Sequence, residues 1–193
     1  MIDLTTRIPY YPGKRLGGAY LNEITTVKDW VLFLDHDVFL SLNPYWNDIC
    51  RSAIERVGHK AGWITCKTNR IGCPLQKAKD IPKGMDDMAW HFKYAEELYK
   101  RNKGLITECT DIEGWKFSGF FILTSKEAFT KVKVLSTGSK ALPENKFIGF
   151  DNWYYDRLIE CGFKTYIMED LYVYHGYKRL WKDGSWGRLW PRE

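Results

Sequence analysis

The chain has 193 residues, a formal net charge of +5, 45% hydrophobic residues and 27% charged residues. That length fits one compact domain, and that hydrophobic fraction excludes wholesale disorder. No apolar run approaches the roughly 18 residues that a membrane-spanning helix needs, and Lys and Arg are scattered rather than blocked into a nucleic-acid-binding arm.

In chain order, Lys14-Arg15-Leu16-Gly17-Gly18 comes first. Paired glycines let backbone approach a ligand closely, and a helix opened by them would aim its N-terminus at an anion. Trp30-Val31-Leu32-Phe33-Leu34 is a continuous apolar run of strand length, the pattern of a strand covered on both faces. Asn43-Pro44 reads as a helix start, followed by Trp46, Ile49, Cys50, Ala53, Ile54 and Val57 at helical spacing and a stop at Gly58.

Gly62–Cys66 reads as a second strand and residues 67–85 as a long loop bearing two glycines and two prolines. Asp86 or Asp87 can cap a helix running to about Asn102. Phe117–Leu123 reads as a third strand, Ser125 opens another helix, and a looser stretch spans 133–146. A helix over about 150–161 ends at Gly162, and Phe163–Met168 and Leu171–Tyr174 are the last strands.

Strands alternating with helices predict an α/β fold with a mostly parallel sheet flanked by helices. In such sheets ligands sit beyond the carboxyl ends of the strands. Asp35-His36-Asp37 falls there, directly after the apolar run. Two acids at i and i+2 can point at one hard cation, and carboxylate oxygens suit Mg²⁺ or Mn²⁺, which bridge diphosphate oxygens. A capped loop with acids in water is the bland alternative. Asp151, in the first turn of a helix after Gly149, can be presented to a cleft as a general base; an acid that merely favours the helix dipole would look the same. His175, after the last strand, could complete a metal site with Asp37.

The 9 Trp, 12 Tyr and 10 Phe form an unusual aromatic excess, either a thick core or flat platforms for sugars or bases. Five cysteines without a CxxC pair read as free thiols in a reducing compartment. The first residues lack a basic region followed by an apolar one, so no signal peptide is read there and a cytoplasmic location is expected.

Taken in order, four pieces resemble the GT-A glycosyltransferases, in particular their family 2-like members: Arg15-Leu16-Gly17-Gly18-Ala19-Tyr20-Leu21-Asn22, Val31–Asp37 with its DxD, Phe117-Ser118-Gly119-Phe120-Phe121-Ile122-Leu123 and Gly149-Phe150-Asp151, followed by His175-Gly176. The resemblance spans about residues 14–176 and implies a single GT-A-like, Rossmann-like domain over 1–176. It implies transfer of a sugar from a UDP- or GDP-linked donor to a carbohydrate hydroxyl. Asp35, Asp37 and His175 would hold Mn²⁺ or Mg²⁺. Arg15, Gly17, Gly18, Asp35 and His36 would bind the donor. Trp115, Ser118 and Gly119 would line the sugar and acceptor pocket, and Asp151 would be the base of an inverting reaction.

Phe150 stands where the family motif usually has Glu, and Asn152 and Asp156 are also similar to retaining members. The strand–helix–strand unit that grips the nucleotide base in the family is largely missing ahead of Gly17. Other segments, a second copy or a partner subunit would then supply it, or donor binding is lost. The basic and aromatic tail over 177–193, with Lys178, Arg179, Lys182 and three tryptophans, would pack on or near the active site. A non-catalytic carbohydrate-binding or assembly protein is the second reading. A nucleic-acid-binding module is the third, opposed by acids at the ligand edge; no nucleic-acid partner is expected.

Overall fold

A computed structural model describes residues 2–10, 16–110, 112–142 and 149–176. Seven strands form one sheet: β1 (Leu4–Arg7), β2 (Trp30–Leu34), β3 (Val38–Phe39), β4 (Ala61–Thr68), β5 (Ile106–Glu108), β6 (Phe121–Ser125) and β7 (Lys164–His175). Five helices accompany them: α1 (Leu16–Thr26), α2 (Trp46–Val57), α3 (Met88–Asn102), α4 (Lys126–Leu135) and α5 (Phe150–Glu160).

The strand order is β1-β2-β6-β4-β7-β3, with β5 also pairing with β7. β1 is parallel to β2 and β4 is parallel to β7. β6 lies between these pairs and runs antiparallel to both β2 and β4. The α/β fold with flanking helices therefore stands, while the expected parallel sheet is mixed. Because β6 runs backwards, its N-terminal end sits at the edge where β2, β4 and β7 end. Residues from both strand ends and strand beginnings thus meet at one rim.

The continuous apolar character of β2 follows from its two covered faces. Val31 and Phe33 join Tyr20 and Ile24 of α1, Phe129 and Val132 of α4, and Tyr154 and Leu158 of α5 on one side. Trp30, Leu32 and Leu34 join Ile49, Ala53, Ile54 and Val57 of α2 on the other. All five residues of β2 are buried, and each large apolar side chain so placed contributes about 1.5–3 kcal/mol. Much of the aromatic excess is core. Trp30, Trp63, Tyr154, Tyr172 and five phenylalanines are among the largest fully buried side chains. The Trp63 indole N–H reaches the Phe121 carbonyl oxygen at 2.9 Å, so its polar atom is satisfied.

Two predicted helix starts are seen as capping bonds. The Asp87 carboxylate accepts the Ala89 N–H at 2.9 Å, and the Ser125 hydroxyl accepts the Ala128 N–H at 3.0 Å. At the third, α2 begins at Trp46 rather than at Pro44. Asn43 instead makes a turn, its side-chain oxygen accepting the Tyr45 N–H at 2.9 Å. The predicted strand at 117–123 starts only at Phe121, and the two predicted C-terminal strands are one, β7. β7 absorbs the break at 169–171 as a register shift against β4.

The five cysteines are free thiols, and four of them are buried. Among the described residues no helix is long and apolar enough to cross a membrane. Arg15 and the tail over 177–193, to which donor binding and active-site packing were assigned, lie outside the described residues.

Candidate metal centre

β2 delivers Asp35 to the rim. The Asp35 N–H donates to the Phe120 carbonyl at 3.0 Å, so the chain is still paired beside β6 when it leaves the strand. The Val38 N–H then donates to the Asp35 carbonyl at 3.2 Å, closing a turn that brings Asp37 round to the end of β7. There Val38 pairs with His175, and the Gly176 N–H donates to the Asp37 carbonyl at 3.0 Å. His36, between the acids, is exposed.

One ligand atom each from Asp35, Asp37 and His175 lies within 4.8 Å of the others. His175 Nε2 is 3.3 Å from Asp37 Oδ1 and 3.7 Å from Asp35 Oδ2. Neighbouring ligands of an octahedral ion with oxygen bonds near 2.1 Å are roughly 3 Å apart, so little motion closes this set on a cation. His175 Nδ1 lies 2.9 Å from the Arg70 carbonyl oxygen. A carbonyl only accepts, so Nδ1 is the donor and Nε2 is the nitrogen turned to the acids. Two carboxylates and one imidazole nitrogen form a donor set that could hold a divalent cation.

The acids differ in their electrostatics. Burial, with the nearby charges of Asp37 and Asp151, pushes Asp35 up to about 6, against the opposing pull of His175. Burial also raises Asp37, but the hydrogen bond and charge of His175 outweigh it and hold that carboxyl below its ordinary range. A cation would relieve the repulsion that Asp35 feels.

Asp151 comes to the same rim from α5. Gly149, at φ 97°, turns the chain into the helix through a left-handed conformation that favours glycine. Asp151 Oδ2 then accepts the Gly119 N–H at 3.3 Å, and its Oδ1 accepts the Asn152 N–H at 2.9 Å. Gly119 is closely approached. A Cβ there would lie 3.1 Å from the Asp151 Cβ. Tyr20 of α1 stacks on Phe150 at 3.8 Å between ring centroids and meets Phe33 edge-on, tying α1, β2 and α5 together behind the acids. The charges of Asp35 and Asp151 add to burial in raising the Tyr20 phenol.

The structure thus brings together Asp35, Asp37, His175, Gly119 and Asp151. Ser118 adjoins them, but its backbone is occupied. Its N–H donates to Gln76 Oε1 at 2.8 Å, and its carbonyl accepts from Gln76 Nε2 at 3.0 Å. Gly17 is buried and Gly18 half-buried in the first turn of α1. Trp115 is 45% exposed in the turn before Phe117. Asp156 pairs with Lys116 at 2.7 Å. A cavity of about 240 Å³ lined by Tyr45, Ile49, Tyr99 and Met168 shares none of these residues and falls below the roughly 300 Å³ at which ordinary ligand pockets begin.

From sequence, Thr68-Asn69-Arg70-Ile71-Gly72-Cys73-Pro74 reads as a further candidate donor or acceptor contact, and Phe120 falls inside the third motif, but neither reading gives Asn69 or Phe120 a contact with His175. Gln76 is missed, because a lone Gln in a Pro-bearing loop carries no local signal of burial.

No family model, curated protein or solved structure matches the chain.

Proposed function

We propose that this chain is a metal-dependent glycosyltransferase, moving a sugar from a UDP- or GDP-linked donor to a carbohydrate hydroxyl with inversion. The observation that carries this reading is the convergence of Asp35, Asp37 and His175 on one point, with Asp151 on the same rim. Asp35, Asp37 and His175 would hold Mn²⁺ or Mg²⁺, which supplies charge neutralisation for a departing diphosphate. The chain's own residues do the rest. Asp151, fixed by the Gly119 N–H, accepts the proton of the acceptor hydroxyl at a carboxylate oxygen. Gly119 and Ser118 adjoin it, and the resemblance of the motifs to GT-A enzymes assigns them to the sugar and acceptor pocket.

Titration of UDP- and GDP-sugars with and without Mn²⁺, followed by heat or thermal shift, tests the proposal. Stabilisation by one donor that requires the metal is the expected result; no response to any nucleotide sugar in Mn²⁺ overturns it. One observation favours a second reading, a carbohydrate-binding or assembly protein. Among the described residues β1 is the last strand at its side of the sheet, so no further strand stands there to grip a nucleotide base. Binding of free glycans without nucleotide sugar would select that reading.

A further inference from the structure

We infer that Asn69 is a positioning residue of the metal centre: its side-chain oxygen and the main-chain carbonyl of Arg70 together fix the orientation and tautomer of His175. The inference deepens the metal-site reading above and rests on it for its functional meaning.

β4 and β7 run parallel with Thr68 beside Val173, so the two strands end next to each other. The first two residues beyond β4 then turn back onto the end of β7. Asn69 is 4% exposed. Its Oδ1 accepts the main-chain N–H of His175 at 2.7 Å and the Thr68 hydroxyl at 3.1 Å. The next carbonyl, that of Arg70, takes the His175 Nδ1 proton at 2.9 Å. Backbone and ring of one histidine are therefore held by two consecutive residues of one turn.

Two further contacts stiffen the clamp. The Phe120 ring stacks beside the imidazole, 5.3 Å between centroids and 19° from parallel, and packs one face of it. Arg70 is anchored from its far end, Nη2 standing 2.6 Å from Asp86 Oδ1. With Nδ1 committed as a donor, Nε2 faces Asp37 and Asp35. A ligating histidine depends on such outer partners for its tautomer and direction. A turn asparagine with only a structural role would stabilise the loop and leave metal affinity alone.

The test uses the full chain and compares Asn69→Ala, which removes the acceptor, with Asn69→Asp, which keeps an oxygen there. Free Mn²⁺ is counted by electron paramagnetic resonance to obtain affinity. The ¹⁵N signals of the His175 imidazole in metal-free protein above pH 8 report which nitrogen carries the proton. Wild type should show the proton on Nδ1. Asn69→Ala should weaken Mn²⁺ binding about 10- to 100-fold and lose the single tautomer, and Asn69→Asp should retain the tautomer.

Wild-type affinity and an unchanged tautomer in Asn69→Ala overturn the inference. If Asn69→Ala does not fold, a switched tautomer in Asn69→Asp does so instead. Failure of the wild type to bind Mn²⁺ overturns the metal reading of the site, while the ¹⁵N signals still decide whether Asn69 orients His175.

Discussion

Asp151 and Gly119 approach so closely that the carboxylate accepts the glycine N–H at 3.3 Å and a Cβ on residue 119 would meet the Asp151 Cβ at 3.1 Å. The bond fixes one carboxylate oxygen. Gly119→Ala would place a Cβ 3.1 Å from the Asp151 Cβ, so the acid has to give by a few tenths of an ångström. Displacements near 1 Å at a reacting group cost about 100-fold in rate, so this smaller shift should lower kcat by less, roughly 2- to 10-fold, with donor affinity by calorimetry nearly unchanged. Asp151→Asn should abolish turnover and likewise keep the donor. Near-normal turnover in Asp151→Asn would point to retention or to another base.

Gln76 carries the segment on which Gly119 sits. It is fully buried and uses its side-chain amide as a strand would use its backbone, exchanging two hydrogen bonds with Ser118 and a third with the Thr65 hydroxyl at 3.0 Å. Gln76→Leu keeps much of the volume but orphans the Ser118 N–H and carbonyl. Each unsatisfied buried group costs about 1–3 kcal/mol, so a loss of about 2–6 kcal/mol is expected in urea unfolding. A loss under about 0.5 kcal/mol would mean that water replaces the amide.

His91 provides a pH-dependent contribution of its own. It is fully buried against β7; the Tyr172 hydroxyl donates to Nδ1 at 2.8 Å, and Nε2 donates to the Met85 carbonyl at 3.2 Å. Both nitrogens are thus satisfied in the neutral ring, and burial holds the folded pKa below 6.5. Below pH 6.5 the unfolded chain takes a proton that the folded chain refuses, so stability falls as the pH drops from there through the lower folded value. Urea midpoints at pH 7.5 and pH 5 should separate more for wild type than for His91→Gln. Equal separations would remove His91 from the acid response.

The parts of the fold that the sequence made legible are those with a local cause. The run 30–34 reads as a doubly covered strand because every side chain in it is apolar, and Asp87 and Ser125 mark helix starts because their side chains bond the next turn. Strand direction has no such cause. The apolar pattern of β6 is the same read either way, and its reversal is set by pairing with β2 and β4, which are distant in sequence. Phe117–Phe120 looks like strand because it is apolar, yet its backbone is spent on Gln76 and Asp35 rather than on a ladder. β1, β3 and β5 are two to four residues long and form only against partners distant in sequence. At the site, the acids and His175 announce themselves by residue type. Asn69 does not, since asparagine is the ordinary residue of a turn.

The candidate metal centre is open to the most direct measurement. Wild type in Mn²⁺ at 100 times its dissociation constant should gain about 2.7 kcal/mol. For a domain of this size that is a rise of roughly 5–10 °C in Tm. Asp37→Asn removes the acid held at low pKa by His175, and His175→Gln removes the nitrogen 3.3 Å from it. Each variant should abolish the Mn²⁺-induced rise. Asp37→Asn should also melt somewhat lower than wild type without metal, because it breaks a buried pair whose partner stays in place. Asp35→Asn should behave differently. Burial and like charge already hold the Asp35 carboxyl at about 6, so removing its charge relieves repulsion and should raise the metal-free Tm at pH 7.5 while weakening Mn²⁺ binding. A Tm rise in Mn²⁺ that survives in all three variants would place the cation elsewhere on the protein.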